Sequence, residues 1–377
     1  AGSLDSLRVV LQQRITEYND AFPHMDIIPF DDAVRHVCRI CRILDTQPGN
    51  ALLVGVGGSG KQSLTRLAAY ISGCGVYTVR LHPDYDLSAF REDLKQLYLR
   101  TGARGMDTVF LFRDTQIFDE GVLVYLNDLL SNGEIPDLFT AEELETIIGG
   151  IRHEVREAFI VDTKENCFNH FLEKARAKLR VVLCFSPIGD SFRVRARRFP
   201  ALLNRCTLDW FHEWPRAALL SVATHFIADL DLGVAEVDAE PTREAVVDFM
   251  VNAHEEAMAA ALSYNEAERR HVYLTPKSYL EMITLYKELL RARLLEVDQK
   301  AQRYEVGLEN LNKVAADVAT LQQKLQDNQG LVMEKQAAAS QVLQKLDAER
   351  AIVAGENLKA EKEDSRMVEL QISVLER

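Results

Sequence analysis

The stretch Leu52-Leu53-Val54-Gly55-Val56-Gly57-Gly58-Ser59-Gly60-Lys61-Gln62-Ser63 constrains the fold more than any other part of this sequence. An apolar run, a glycine-rich turn, a lysine and an amphipathic segment read as strand, loop and helix, with the strand over Ala51 to Val56 and the helix over 61–72. A strand that is apolar on both faces must be buried in a sheet. Further short apolar runs, Val76 to Leu81, Thr108 to Phe112 and Arg180 to Ser186, are separated by helical patterns. Strands alternating with helices predict an α/β domain with a mainly parallel sheet covered on both faces. Ahead of it, Leu4 to Tyr18 and 32–45 read as helices, the second capped by Asp31 and Asp32, and Gln47 to Asn50 as a turn.

The glycine-rich loop carries the chemistry. Gly55, Gly57, Gly58 and Gly60 let the backbone turn sharply, so that its N–H groups, with those of Ser59 and the following residues, point inward at phosphate oxygens. The helix that follows adds its positive N-terminal end, and Lys61 reaches the β- and γ-phosphates. The P-loop pattern asks for Ser or Thr directly after the lysine as a Mg²⁺ ligand. Gln62 stands there and Ser63 is one residue late, about 100° further round the helix. Phosphate binding is expected from this loop, while Mg²⁺ binding stays open.

A strand ending in two acids should complete such a site. The candidate is Thr108 to Phe112 followed by Arg113-Asp114-Thr115. With Asp114 as the metal-binding acid, Thr115 replaces the catalytic one; with Asp114 as the catalytic acid, Arg113 replaces the metal-binding one. Asp119 and Glu120 come a turn later and open the next helix. Ser186, ending its strand, fits a γ-phosphate sensor or equally a capping serine before Pro187. Of the basic run Arg193, Arg195, Arg197, Arg198 and Arg205, the last is chosen as the residue that reaches a neighbouring module's nucleotide. Lys277, opening the last helix, is a candidate second sensor.

Composition narrows the rest. In 377 residues the formal net charge is −13, which argues against nucleic acid as a main partner. The longest apolar runs, such as Val181 to Phe185, are too short to span a bilayer, and Ala1 to Arg8 hold no signal core. Cys38 and Cys41 form a CxxC, but no second pair follows at ligand spacing, so they read as reduced thiols on a helix and no metal site is assigned. Trp210 to Trp214 closes the α/β unit, and 215–275 reads as helical with a polar loop near 232–242. After Pro276, the last proline, Glu, Lys, Gln, Ala and Leu dominate. Apolar residues recur at Val297, Ala301, Tyr304, Leu308 and Leu311, resume after a slip at Val314, Val318, Leu321 and Leu325, and continue at Val342 and Leu346. That is a coiled-coil seam, imperfect at the slip and at Asn328 and Lys335. The expected division is 1–211 for the large nucleotide-binding domain, 212–292 for a small helical domain and 293–377 for a coiled-coil strand whose partner strand is absent.

In FDDAVRHVCRICRIL, ALLVGVGGSGKQSLTRLAAYI, VFLFRDTQIFDEGVLVYLNDLLSNGEIPDLF, LRVVLCFSPIGDSFRVRARRFPALLNRCTLDWFHEWP and YLTPKSYLEMITLYKELL, taken in that order, the sequence resembles the dynein heavy chain, specifically its fourth AAA+ module, and is more similar to the axonemal than to the cytoplasmic type. The resemblance covers essentially the whole chain. It implies an AAA+ fold, bound ATP or ADP, and a place in a six-membered ring built from modules of one heavy chain. It implies a coiled-coil stalk strand paired with a returning strand, and microtubule contact through a stalk tip outside this sequence. Intermediate and light chains of the full complex, no nucleic acid, no membrane, and a cytoplasmic, cytoskeletal setting in the axoneme of the cilium follow from the same likeness. Two classes remain: a motor ATPase segment with a regulatory role, and a structural nucleotide-stabilised coiled-coil module without ATPase activity. A chromosome-condensation-type ATPase ranks behind both, because there the coil leaves soon after the P-loop half-domain.

Overall fold

The computed structural model describes residues 4–233 and 236–375. In chain order the elements are α1 (Leu4–Ala21), α2 (Asp31–Asp45), β1 (Ala51–Gly55), α3 (Lys61–Ile71), β2 (Gly75–Tyr77), α4 (Leu87–Tyr98), β3 (Thr108–Arg113), α5 (Gly121–Asn132), α6 (Ala141–Glu157), α7 (Lys164–Lys178), β4 (Leu179–Phe185), α8 (Ser191–Arg198), α9 (Ala201–Asn204), β5 (Thr207–Phe211), α10 (Arg216–Ile227), α11 (Glu236–Glu268) and α12 (Pro276–Leu375). A π-helical turn over Leu99–Ala103 extends α4, and a 3₁₀ turn over Asp114–Gln116 follows β3.

The five strands form one sheet in the order β2-β3-β4-β1-β5, parallel at every pairing. Strand alternation sorts its side chains into two cores. Leu52, Val54, Phe110, Phe112, Leu183 and Phe185 meet residues of α4 to α7 on one face. Ala51, Leu53, Val109, Leu111, Val182 and Cys184 meet α1, α2 and α3 on the other. This is the α/β P-loop sheet expected from the sequence.

Two strands depart from expectation. Strand β2 spans only Gly75–Tyr77, because those residues alone pair with β3, at Thr108, Val109 and Phe110. Strand β5, not anticipated, pairs with β1 from Ala51↔Thr207 to Gly55↔Phe211. As an edge strand it buries only Asp209 and Phe211 while Leu208 and Trp210 stay exposed, so no apolar run announces it. Asp209 is 3 % exposed and is neutralised from α2, with His36 Nδ1 at 2.7 Å and Arg39 donating at 2.9 Å. The His36 ring stacks on Phe211, centroids 3.8 Å apart.

A third core joins α10, α11 and the first turns of α12 through Leu219, Val222, Ile227, Met250, Val251, Tyr279 and Ile283. The Tyr279 hydroxyl donates to the Leu219 carbonyl at 3.0 Å. The polar loop expected near 232–242 is shorter than that. Residues 234 and 235 lie outside the described residues, and α11 begins at Glu236 with Pro241 inside it. At the sixth position of the helix the proline gives up one bond, the N–H that would donate to the carbonyl four residues back.

The chain divides into two compact units, 1–291 and 292–377. The described residues of the second are helical, part of the hundred-residue α12. Every described side chain from Leu308 to Leu370 is exposed, including Leu311 at 67 %, Leu321 at 63 % and Leu325 at 60 %. Among the described residues, no helix is long and apolar enough to cross a membrane.

Candidate functional site

The glycine-rich loop leaves the carboxyl end of β1, between β4 and β5 in the sheet, where the crevice of an open parallel sheet lies. Gly60 caps α3 with φ +89°, and Gly58 has φ +78°. The Gly58 backbone is pressed against the first turn of α12: a Cβ there would lie 2.4 Å from Lys277 Cβ and 2.6 Å from Lys277 N. Backbone cannot give way as a flexible side chain can. Gly58→Ala is therefore expected to lower folding stability by about 1–3 kcal/mol, read as a lower urea midpoint. An unchanged midpoint would show that the loop and the α12 turn separate freely.

Lys61 opens α3 and folds back over the loop. Its Nζ donates to the Gly55 and Val56 carbonyls at 2.7 Å each and to Ser59 Oγ at 3.0 Å. Burial lowers its pKa from the usual lysine value, opposed by the nearby Cys184 and Asp114. Thr65 Oγ1 ties the helix start by donating to the Lys61 carbonyl at 2.7 Å. Gln62 is exposed and Ser63 half-buried.

Asp114 and Ser186 come together beside this lysine. Asp114 Oδ2 accepts the Ser186 N–H at 2.8 Å, and the Ser186 hydroxyl accepts from the Ile188 N–H at 3.4 Å. Arg113 ends β3 opposite Cys184 of β4. That thiol is pushed up to about 12, mainly by burial, against the pull of Lys61 and Arg113. A residue the sequence did not suggest, Gln116, brackets this corner. It is 2 % exposed, its Oε1 accepts the Arg113 N–H at 2.8 Å and its Nε2 donates to the Val79 carbonyl at 2.6 Å. A lone glutamine in a turn carries no signal of that role.

A cavity of about 130 Å³ borders the loop, lined by Gly58, Ser59, Gly60, Ser63 and Leu64 on one side. Ile27, Ile28, Trp214, Val222, Phe226 and Leu280 supply the apolar wall, with Phe30 edge-on to Trp214 at 5.3 Å. Ligand pockets commonly span roughly 300 Å³ or more, and this cavity is smaller.

Arg205 is not in this group. It stands just before β5, at the Ala51 end of β1, roughly 16 Å of strand from the loop. It is exposed and lines a separate cleft of about 490 Å³ with Tyr98, Asn132 and Arg176. Lys277 touches the loop through its backbone, while its Nζ pairs with Glu281 at 3.4 Å. Arg198 pairs with Glu120. Cys38 and Cys41 are half-buried free thiols on α2, and among the described residues no group of three or more His, Cys, Asp or Glu side chains could hold a metal.

The family model described as the P-loop containing dynein motor region D4 matches residues 25–289. The chain is 46 % identical over 93 % of its length to the dynein beta chain of the flagellar outer arm of Chlamydomonas reinhardtii. It is 42 % identical over 98 % of its length to dynein axonemal heavy chain 11 of Sus scrofa, and 42 % identical over 96 % to dynein axonemal heavy chain 9 of Homo sapiens. It spans about 8 % of the length of each of these relatives. A match over most of the sheet unit, joined to relatives above 40 % identity across nearly the whole sequence, places the chain by family: it belongs to the dynein heavy chains, in their P-loop containing motor region D4.

Proposed function

We propose that this chain is a nucleotide-binding AAA+ segment of an axonemal-type dynein heavy chain, holding ATP or ADP chiefly as a structural and regulatory ligand and turning it over slowly. The observation that carries the reading is the strand–loop–helix of β1 and α3 with Lys61 at the helix start and a single acid, Asp114, beside it. The loop glycines, Ser59, Lys61, Gln62 and Ser63 would hold the phosphates, and the cavity between Ile27–Ile28 and Phe226 the base. Asp114 and Ser186 would face the terminal phosphate. Hydrolysis in such sites normally uses a second acid and a neighbour's arginine. Here Arg113 and Thr115 flank the one acid. In the same reading Arg205, remote from its own loop, reaches the nucleotide of the adjoining module.

The working parts are 1–211 for the nucleotide domain, 212–292 for the helical domain and 293–377 for the outgoing strand of a coiled-coil stalk. The exposed apolar seam of α12 supports the last. Partners are then the neighbouring modules of the same heavy chain, the returning stalk strand, intermediate and light chains, and a microtubule through a tip outside this chain. The setting is the axoneme, in line with the flagellar and axonemal names of the relatives.

The test is steady-state turnover of the purified chain. The rate is expected to lie far below the enzyme median of about 10 s⁻¹, and Thr115→Glu alone leaves it there, because no neighbour's arginine is supplied. Turnover near that median would contradict slow hydrolysis. A second reading, a structural module with no ATPase activity, rests on the same flanking residues and predicts no turnover at all.

A further inference from the structure

The residues around the loop do not fit the Mg²⁺ that P-loop sites usually carry. That ion takes a hydroxyl from the residue after the lysine and a carboxylate from the end of the adjacent strand. Here the first position is Gln62, exposed and neutral, and the end of β3 presents Arg113 before its acid. Strand alternation puts Arg113 on the face shared by Val109 and Leu111, which pack with Leu64, Leu67 and Ala68 of α3. Its cross-strand partner Cys184 lies on that face too. The Cys184 thiol feels Lys61 and Arg113, with Asp114 opposing them, so Arg113 adds a second positive charge near the end of β4, where Lys61 and Asp114 also act. Arg113 is half-buried, and among the described residues no carboxylate or carbonyl partners its guanidinium. Its backbone is fixed by Gln116, whose Oε1 accepts the Arg113 N–H at 2.8 Å. A planar, permanently charged fork at the carboxyl end of β3, the edge of the sheet from which the phosphate loop also leaves, is suited to bidentate phosphate contact.

We propose that Arg113 stands in for the divalent cation, so that this site binds a nucleoside di- or triphosphate without Mg²⁺, the phosphate charge being shared between Lys61 and Arg113. The inference rests on the nucleotide-binding reading above. It adds that the resident counter-charge is a side chain. Gln62 and Arg113 then form one adaptation: the metal's hydroxyl ligand is lost where its positive charge is replaced.

The experiment is a fluorescence titration of the 377-residue chain with a fluorescent ATP analogue, once in excess Mg²⁺ and once in excess EDTA. The native chain is expected to bind with affinities within about threefold of each other in the two buffers, where a metal-dependent P-loop loses its nucleotide in EDTA. Arg113→Ala weakens binding in EDTA by about tenfold or more, the scale of a lost charge-assisted contact, with Arg113→Lys in between. The double variant Gln62→Thr, Arg113→Asp regains a metal site and binds about tenfold or more tighter in Mg²⁺ than in EDTA. Native binding that disappears in EDTA overturns the proposal and leaves the nucleotide reading intact, as does Arg113→Ala binding in EDTA as tightly as the native chain. Uptake in neither buffer overturns the nucleotide reading and this inference with it. The comparison of buffers on the native chain stands even where a variant fails to fold.

Discussion

Lys61→Ala is expected to weaken nucleotide binding by about a hundredfold or more while leaving the helical content unchanged. Each charge-assisted hydrogen bond is worth about 1.5–3 kcal/mol, and the lysine offers at least two to the β- and γ-phosphates. In the structure its ammonium holds the Gly55 and Val56 carbonyls and Ser59 Oγ. These are three contacts of the kind phosphate oxygens would replace. The residue caps no buried core, and Leu64, Leu67 and Ala68, which anchor α3, are untouched. Equilibrium titration of both proteins, with circular dichroism of each, checks it. Affinity within a few-fold of the native chain would mean that the loop is only a strand–helix connection.

The second large effect concerns α12. Beyond Arg291 the helix is expected to be digested readily when this chain is alone, and to become protected in a longer heavy-chain segment that supplies the returning antiparallel strand. Leu308, Leu311, Val318, Leu321 and Leu325 are 60 %, 67 %, 45 %, 63 % and 60 % exposed. Covering a leucine-type side chain is worth ~1.5–3 kcal/mol, so a partner along this seam would dominate its stability. The slip between Leu311 and Val314 and the polar seam residues Asn328 and Lys335 weaken any one register. Cysteines at Leu321 and on the returning strand would report whether pairing shifts with nucleotide. Limited proteolysis followed by intact-mass measurement locates the cuts. A monomeric chain whose tail resists protease would remove the need for a second strand.

The parts legible in the sequence were those where one local rule dominates. The glycine spacing, the lysine and the apolar run before them fixed β1, the loop and α3, because strand burial and phosphate geometry both act within a dozen residues. The heptad seam was visible for the same reason. Strand β5 was not, since its burial depends on an ion pair with residues 170 and 173 positions away, and a buried Asp209 breaks the apolar pattern it would otherwise show. The site's second wall was equally hidden: Ile28, Trp214, Phe226 and Leu280 meet at the loop only after three segments have packed. The bracket made by Gln116 depends on Val79, 37 residues earlier. Arg113 was visible as a departure from the expected acidic pair. Its place opposite Cys184 came only from the pairing of β3 with β4.

The most direct test of the central claim, that this chain is a nucleotide-holding module, is a count of the nucleotide released when the purified native protein is denatured, resolved by mass spectrometry. The account predicts close to one ADP or ATP per chain, and a Lys61→Ala preparation that releases almost none. A native chain that carries no nucleotide even after saturating incubation, or a Lys61→Ala chain that carries as much as the native one, would contradict it.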